Sequence, residues 1–251
     1  MSSSIWTQCA GDSRIRALRL TPWRVVEAQH EVSTRKLVDT AEEQALLEEL
    51  IDRAKPPDTT AGKVHYLLAT PFRYPPLRYG SRFATRHERG IWYGSESLTA
   101  AFAEVAYYRF VFLEGTSADL GLVTTQLTAF SIPARSAHGI DLVAKPFDKH
   151  RRAIASPARY TDAQALGAAM RAAGVELVRY PSARDPDYGV NVAAFTPAVF
   201  GRARPRDFQT WHCAATRERV ELVKRDYFGN EMHAFSRQTF LVRGELPAPA
   251  L

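Results

Sequence analysis

The stretch "GIWYGSESLTAAFAEVAYYRFVFL", residues 90–113, holds the strongest structural signal in the chain. Its aromatic run, bounded by Gly90 and Gly94, has the composition of a short buried strand. Ser95 or Ser97 then offers an N-cap, and Leu98, Ala101, Phe102 and Val105 recur at helical spacing, so a helix follows. Glu104 falls inside that helix, among Ala100, Ala101, Tyr107 and Tyr108. A lone carboxylate among apolar neighbours either reaches out to solvent or is buried with a partner and functional. The helix by itself leaves both readings open.

Before this stretch, "TPFRYPPLRYGSRF" (70–83) places Arg73, Arg78 and Arg82 on a segment broken by proline and glycine. Such a backbone can fold around a ligand, and guanidinium groups held this way make bidentate contacts to phosphate. Surface arginines are the plainer alternative. "VHYLLATPF" (64–72) reads as a short buried strand, and "PPDTTAGK" (56–63) as a linker. Further upstream, "DTAEEQALLEELIDRAKPP" (39–57) predicts a helix. Thr40 and Glu43 form a capping box, Leu46, Leu47, Leu50 and Ile51 share one face, and Pro56 and Pro57 end it. Residues 1–62 are therefore expected as an N-terminal helical extension and 63–251 as the main domain.

After the stretch, "LGLVTTQLTAFSIPA" (120–134) suits a strand. "TDAQALGAAMRAAG" (161–174) suits a helix with a Thr or Asp cap and Gly174 as its stop. "VELVRYPS" and "NVAAF" read as strands around the turn-rich "ARDPDYG", and residues 218–242 as more β-structure about a Gly-Asn turn. Strands and helices mix without the regular alternation of a doubly wound sheet, which predicts an α+β domain. In "RYPSARDPDYGVNVAAF" (179–195), Ser182 sits in a loop with Arg184 and Asn191 nearby. No neighbouring His or Asp makes a hydrolytic triad of it. It serves either the turn or a substrate hydrogen bond.

Composition narrows the class. Hydrophobic residues make up 45% and charged residues 24% of 251, as in a soluble globular protein with a sizeable core. Neither a membrane-length apolar run nor a secretory leader is evident, so a cytoplasmic protein without membrane partners is expected. Cys9 and Cys213 have no metal-ligand or disulfide-framework spacing and are expected as free thiols. The histidines are scattered, which argues against a His-based metal cluster. GxGxxG, GxxxxGK[ST], HExxH and GxSxG are all missing, so dinucleotide-fold, P-loop, zincin and α/β-hydrolase readings lack their backbones. A formal charge of +6 suits an anionic partner, whether nucleic acid, a phosphorylated small molecule or an acidic protein. Scattered arginines equally fit a solvated surface.

Arg, Glu and Ser in this order resemble the RES-domain family, named for those residue types. The resemblance rests on "PFRYPPLRYGSRF", "GIWYGSESLTAAFAEVAYYR", "YTDAQALGAAMRAAGVELVRYPSAR" and "NVAAF", and spans roughly residues 63 to 200. It implies an ADP-ribosyltransferase-like mixed sheet with flanking helices. It also implies a toxin of a bacterial toxin-antitoxin pair that cleaves the nicotinamide glycosidic bond of NAD. Phosphate or water would be the acceptor, making the protein an NAD phosphorylase or glycohydrolase, and a small Xre-like protein would neutralise it. Carried over by residue, Arg73 and Arg82 match the family's arginines, Tyr93 its aromatic, Glu104 its acid and Ser182 its serine. Thr161 stands where some relatives have a hydroxyl. Phe83-Ala84 departs from the family's frequent Trp-Asn.

The chemistry agrees with that resemblance. Losing nicotinamide passes through an oxocarbenium-like ribosyl cation, which a carboxylate such as Glu104 stabilises. Arg73 and Arg82 suit the pyrophosphate and Tyr93 the pyridinium ring, while Ser182 and Asn191 suit a ribose hydroxyl or the amide. NAD is then the substrate and phosphate a co-substrate; no recycled cofactor and no metal are expected. The alternatives are ADP-ribose transfer to a protein and a non-catalytic nucleic-acid binder, with arginines on phosphates and Trp92, Tyr93, Tyr107 and Tyr108 stacking bases. Under the leading reading nucleic acid is met only through the antitoxin. Homo-oligomer formation stays open.

Overall fold

The computed structural model describes residues 4–28, 38–56, 64–76, 78–226 and 229–249. Among these, ten strands form one mixed sheet accompanied by six α-helices, an α+β architecture. The strands are β1 (Arg16–Leu20), β2 (Trp23–Glu27), β3 (Trp92–Ser95), β4 (Val123–Ser131), β5 (Ala134–Asp141), β6 (Leu177–Pro181), β7 (Val190–Ala194), β8 (Arg206–Ala215), β9 (Arg219–Asp226) and β10 (Gly229–Ser236). The helices are α1 (Ile5–Gln8), α2 (Ala41–Ala54), α3 (Tyr66–Arg73), α4 (Leu98–Glu114), α5 (Arg151–Ile154) and α6 (Thr161–Ala172). Strand order is β1-β5-β6-β7-β3-β2-β4-β8-β9-β10, and β5–β6 is its parallel pair.

One joint in this sheet matters for function. β3 and β2 are paired through Trp23 and Ser95 alone, whereas β2 and β4 pair over five residues and β3 and β7 over four. The sheet is thus two halves that touch at a point and part elsewhere. Gly94 permits the contact, because a Cβ there would lie 2.6 Å from the Trp23 carbonyl oxygen. Opening the strands leaves room for side chains and a ligand between them.

Three buried clusters hold the halves and their helices. Phe102, Tyr107 and Phe110 of α4 pack on Trp211, Leu222 and Phe235 of the β8–β10 half. Leu166 and Met170 of α6 pack with Phe83, Val178 and Tyr180 on the other half. Leu67 and Leu68 of α3 join Trp92, Phe130 and Val192 on the remaining surface. Together these bury the aromatic strand and most of the helix after it, leaving Tyr108 and Phe112 exposed on one stripe. A helix apolar on every side belongs in an interior.

Several expectations need correction. Residues 64–72 form no strand. His65 accepts a hydrogen bond from the Leu67 amide through Nδ1 at 3.3 Å and starts α3, which runs through Pro71 to Arg73. A short apolar run fits either a buried strand or one face of a helix, and the cap decided it. The first 62 residues are not solely a helical extension, because β1 forms one edge of the sheet and β2 lies within it at the joint. The pattern of β2 shows no alternation because it borders the cavity as well as the core.

The other signals held with small changes. α2 carries the expected capping box: Thr40 Oγ1 accepts from the Glu43 amide at 3.1 Å, and Glu43 Oε2 accepts from the Thr40 amide at 3.2 Å. Its leucine face stays outside the core, with Leu46 and Leu50 exposed. α4 is capped by Ser97, which accepts from the Ala100 amide. α6 starts from Tyr160 with no side-chain cap, but Gly174 does end it at φ +73°. Gly229 and Asn230 belong to β10, where they pair with Asp226 and Arg225, so they are not the turn; residues 227–228 lie outside the described residues, as does the linker from 57 to 63. Cys9 and Cys213 are both free and buried. No helix among the described residues is long and apolar enough to cross a membrane.

Candidate active site

The parting of β2 from β3 opens a cavity of about 430 Å³. β2 lines one side with Trp23, Arg24 and Val26, and α4 lines another with Glu104, Val105 and Tyr108. Tyr93, Ser95 and Asn191 come from the opposing strands, and Ser81, Arg82, Tyr160 and Tyr180 complete the wall.

Glu104 is placed by the local chain. β3 ends at Ser95, Ser97 caps α4, and the second turn of the helix brings Glu104 to the opening between the sheet halves. One of its oxygens is held by two donors: Asn191 Nδ2 reaches Oε1 at 2.7 Å and Ser182 Oγ reaches it at 3.1 Å. Each donor is itself oriented. Asn191 pairs with Ser95 across β7–β3, and Ser95 Oγ donates to Asn191 Oδ1 at 2.8 Å. Only the amide NH2 is then left to face the carboxylate, since the reverse orientation would oppose two oxygens. Ser182 Oγ accepts from the Arg184 and Asp185 amides, both at 3.1 Å, so its one proton is directed to Glu104. The other carboxylate oxygen accepts no hydrogen bond from the described residues. Glu104 is therefore half-buried and partnered, anchored by one oxygen and offering the second to the cavity.

Arg82 is 8% exposed. Its Nη1 donates to the carbonyls of Ile154 at 3.0 Å and Ser156 at 3.1 Å, and its guanidinium lies 4.8 Å from the centre of the Tyr160 ring. That grip leaves the rest of the fork for the cavity. The loop carrying Arg82 is pinned by Gln164 of α6, whose Nε2 donates to the Tyr79 carbonyl at 2.9 Å and the Ser81 carbonyl at 3.2 Å. Tyr93 holds the same loop from below. Its hydroxyl lies 2.9 Å from Ser81 Oγ and accepts from the Phe83 amide at 3.3 Å. Burial pushes the Tyr93 phenol up to about 12, against the pull of Ser81, Phe83 and Arg82. Phe83 and Ala84, where the resemblance predicts Trp-Asn, are fully buried and do not line the cavity.

Arg24 was not anticipated from the sequence. Its Nη1 donates to the Tyr93 carbonyl at 2.7 Å, its guanidinium lies 5.3 Å from the Trp92 ring centre, and its Nε is enclosed without a partner among the described residues. Burial lowers it to about 10. A poorly solvated guanidinium lining a cavity is suited to an anion. Nothing in "WRVVE" distinguished it from a strand-edge arginine. At the rim, Arg109 Nη2 meets Glu27 Oε1 at 2.7 Å and bridges α4 to β2.

Two expected residues are elsewhere. Arg73 ends α3, where its Nε donates to the Pro56 carbonyl, and it does not line the cavity. Thr161 is the exposed first residue of α6, and the preceding Tyr160 faces the cavity in its place. Arg82, Tyr93, Glu104 and Asn191 do come together around the cavity, and Ser182 joins them through Glu104. Of the four aromatics weighed for base stacking, Trp92 and Tyr107 are at most 1% exposed, and only Tyr108 is openly exposed. Among the described residues no three His, Cys, Asp or Glu side chains converge as metal ligands.

Residues 52–216 match the family described as the RES domain. The chain belongs to the RES-domain family. No curated protein matches it. The RES match contains Arg82, Tyr93, Glu104, Ser182 and Asn191 but stops short of Arg24 on one side and of β9 and β10 on the other. Membership in the RES family is consistent with a toxin-like, NAD-related function and suggests an NAD-related enzyme.

Proposed function

We infer that this RES protein cleaves the nicotinamide N-glycosidic bond of NAD, with phosphate or water as acceptor, and acts as the toxin of a toxin-antitoxin pair. The observation that carries the reading is the Glu104 carboxylate. It is fixed through one oxygen by Asn191 and Ser182 in the wall of a cavity that also holds Arg24 and Arg82. Cations for a pyrophosphate and a single oriented anion for a ribosyl cation are the two things this substrate asks for.

The chemistry follows from the geometry. Arg24 and Arg82 come from opposite sides of the parted sheet and take the phosphates, which seats the dinucleotide between β2 and β3. Glu104 lies between the sheet halves with its free oxygen toward the ribose, where it stabilises the cation as the C–N bond breaks. Nicotinamide departs neutral because its ring nitrogen takes the bonding electron pair. Water or phosphate then attacks the ribosyl carbon, and a water nucleophile loses its proton to solvent or to Glu104. Tyr160 and Tyr180 supply an aromatic wall for the rings. An Xre-like antitoxin is the partner this role requires, and a homo-oligomer is compatible with it.

Incubating the purified protein with NAD tests the reading. Free nicotinamide should accumulate, product analysis with and without phosphate should identify the acceptor, and Glu104→Gln should nearly abolish release. Intact NAD under both conditions sinks the proposal. Adenine-labelled NAD separates it from protein modification, because label on a macromolecule would assign the transferase reaction.

A further inference from the structure

The turn carrying Ser182 holds a cation that the chemistry above does not use. Arg184 is 4% exposed, yet its Nη1 and Nη2 are enclosed with no acceptor among the described residues. Burying a cation without partners is costly, so something must compensate or require it. What faces it is a ring: the guanidinium carbon lies 3.4 Å from the centre of Tyr107. Tyr107 sits on α4 one turn beyond Glu104, and its hydroxyl donates to the Pro247 carbonyl at 2.5 Å, which keeps the ring from swinging away. On its other side, the Arg184 amide donates to Ser182 Oγ, the hydroxyl that in turn donates to Glu104.

We propose that Arg184 is a positioning residue: stacked on Tyr107, it clamps the 182–185 turn to α4 and sets the Ser182 hydroxyl against the Glu104 carboxylate. Arg184 does not line the cavity, so it acts through Ser182 and Glu104 and not on the substrate. The stack explains why the residue is cationic. A neutral side chain of similar length would fill the space without the cost of burying charge, but it would lose the attraction to the ring face that orients the turn. Lysine keeps the charge and lacks the plane.

The kinetic part of this inference rests on the NAD reading; the geometric part does not. Arg184→Met and Arg184→Lys are compared with wild type in the full chain. Thermal midpoints, kcat and KM for nicotinamide release, and a crystal structure of the Met variant are measured. Arg184→Met should melt at or above the wild-type temperature, and its kcat should drop roughly 10- to 100-fold, as for about 1 Å of misplacement, with KM nearly unchanged. Arg184→Lys should recover part of that loss. In the Met structure Ser182 Oγ should have left hydrogen-bonding reach of Glu104. Retained kcat, or a fall in kcat that only follows a lower melting temperature, overturns the proposal. If the wild type releases no nicotinamide, the NAD reading fails by itself. The clamp is then decided by the structure alone, and Ser182 still bonded to Glu104 in the Met variant overturns it.

Discussion

Replacing Asn191 with leucine removes one of the two donors on Glu104 while keeping the branching at Cγ of a side chain that is 2% exposed. The lost contact is a 2.7 Å hydrogen bond to a carboxylate, and bonds to charged groups contribute about 1.5–3 kcal/mol. If that energy serves to aim Glu104 at the developing cation, kcat falls by roughly 13- to 160-fold while KM changes little. Ser95→Ala acts one step further away, through a neutral 2.8 Å bond to Asn191, so about 0.5–1.5 kcal/mol and roughly a 2- to 13-fold loss are expected. Ser182 donates to the same carboxylate oxygen as Asn191. Asn191→Leu combined with Ser182→Ala should therefore cost less than the sum of the single losses. Initial rates of nicotinamide release across NAD concentrations, with melting temperatures to confirm folding, measure all four. Full activity in Asn191→Leu, or an effect confined to KM, refutes the assignment of Asn191 to the acid and returns it to the substrate.

Two further outcomes follow from the cavity walls. Arg24→Met should raise KM for NAD about tenfold or more, the worth of a charge-assisted contact, with a smaller effect on kcat; an unchanged KM removes Arg24 from the binding surface. Tyr93 makes stability fall at alkaline pH. Its phenol is held near 12 in the fold against an ordinary value near 10, so the native state keeps the proton more tightly. The contribution is complete below pH 10, is lost between 10 and 12, and amounts to roughly 3 kcal/mol. Denaturant unfolding of wild type and Tyr93→Phe at pH 8 and above pH 11 should show the steeper decline in wild type, and parallel declines exclude the effect.

What the sequence disclosed depended on how local each signal was. Thr40 with Glu43, Ser97 ahead of α4 and Gly174 after α6 are contacts within a few residues, and periodicity plus caps located those helices. The joint in the sheet is not local. Trp23 meets Ser95 across most of the N-terminal half of the chain, and a five-residue strand such as β2 carries no pattern strong enough to announce that partner. α3 failed for a related reason: "YLLATPFR" is too short for its period to separate helix from strand, and the histidine cap that decided it is an uncommon one.

The candidate site divides along the same line. Glu104, Arg82, Tyr93 and Ser182 were legible as residue types in an order, but their relations were not. The order shows neither that Asn191 and Ser182 converge on one carboxylate oxygen nor that Tyr93 supports the Arg82 loop through its hydroxyl. Arg24 escaped because an arginine in a strand looks the same whether it faces solvent or an opened sheet. That opening is what gives these residues a common purpose. Were β2 and β3 fully paired, Arg24 and Glu104 would have no shared cavity; Gly94 lets the strands meet beside Trp23 and Ser95, and beyond that one pair they part to make room for the chemistry.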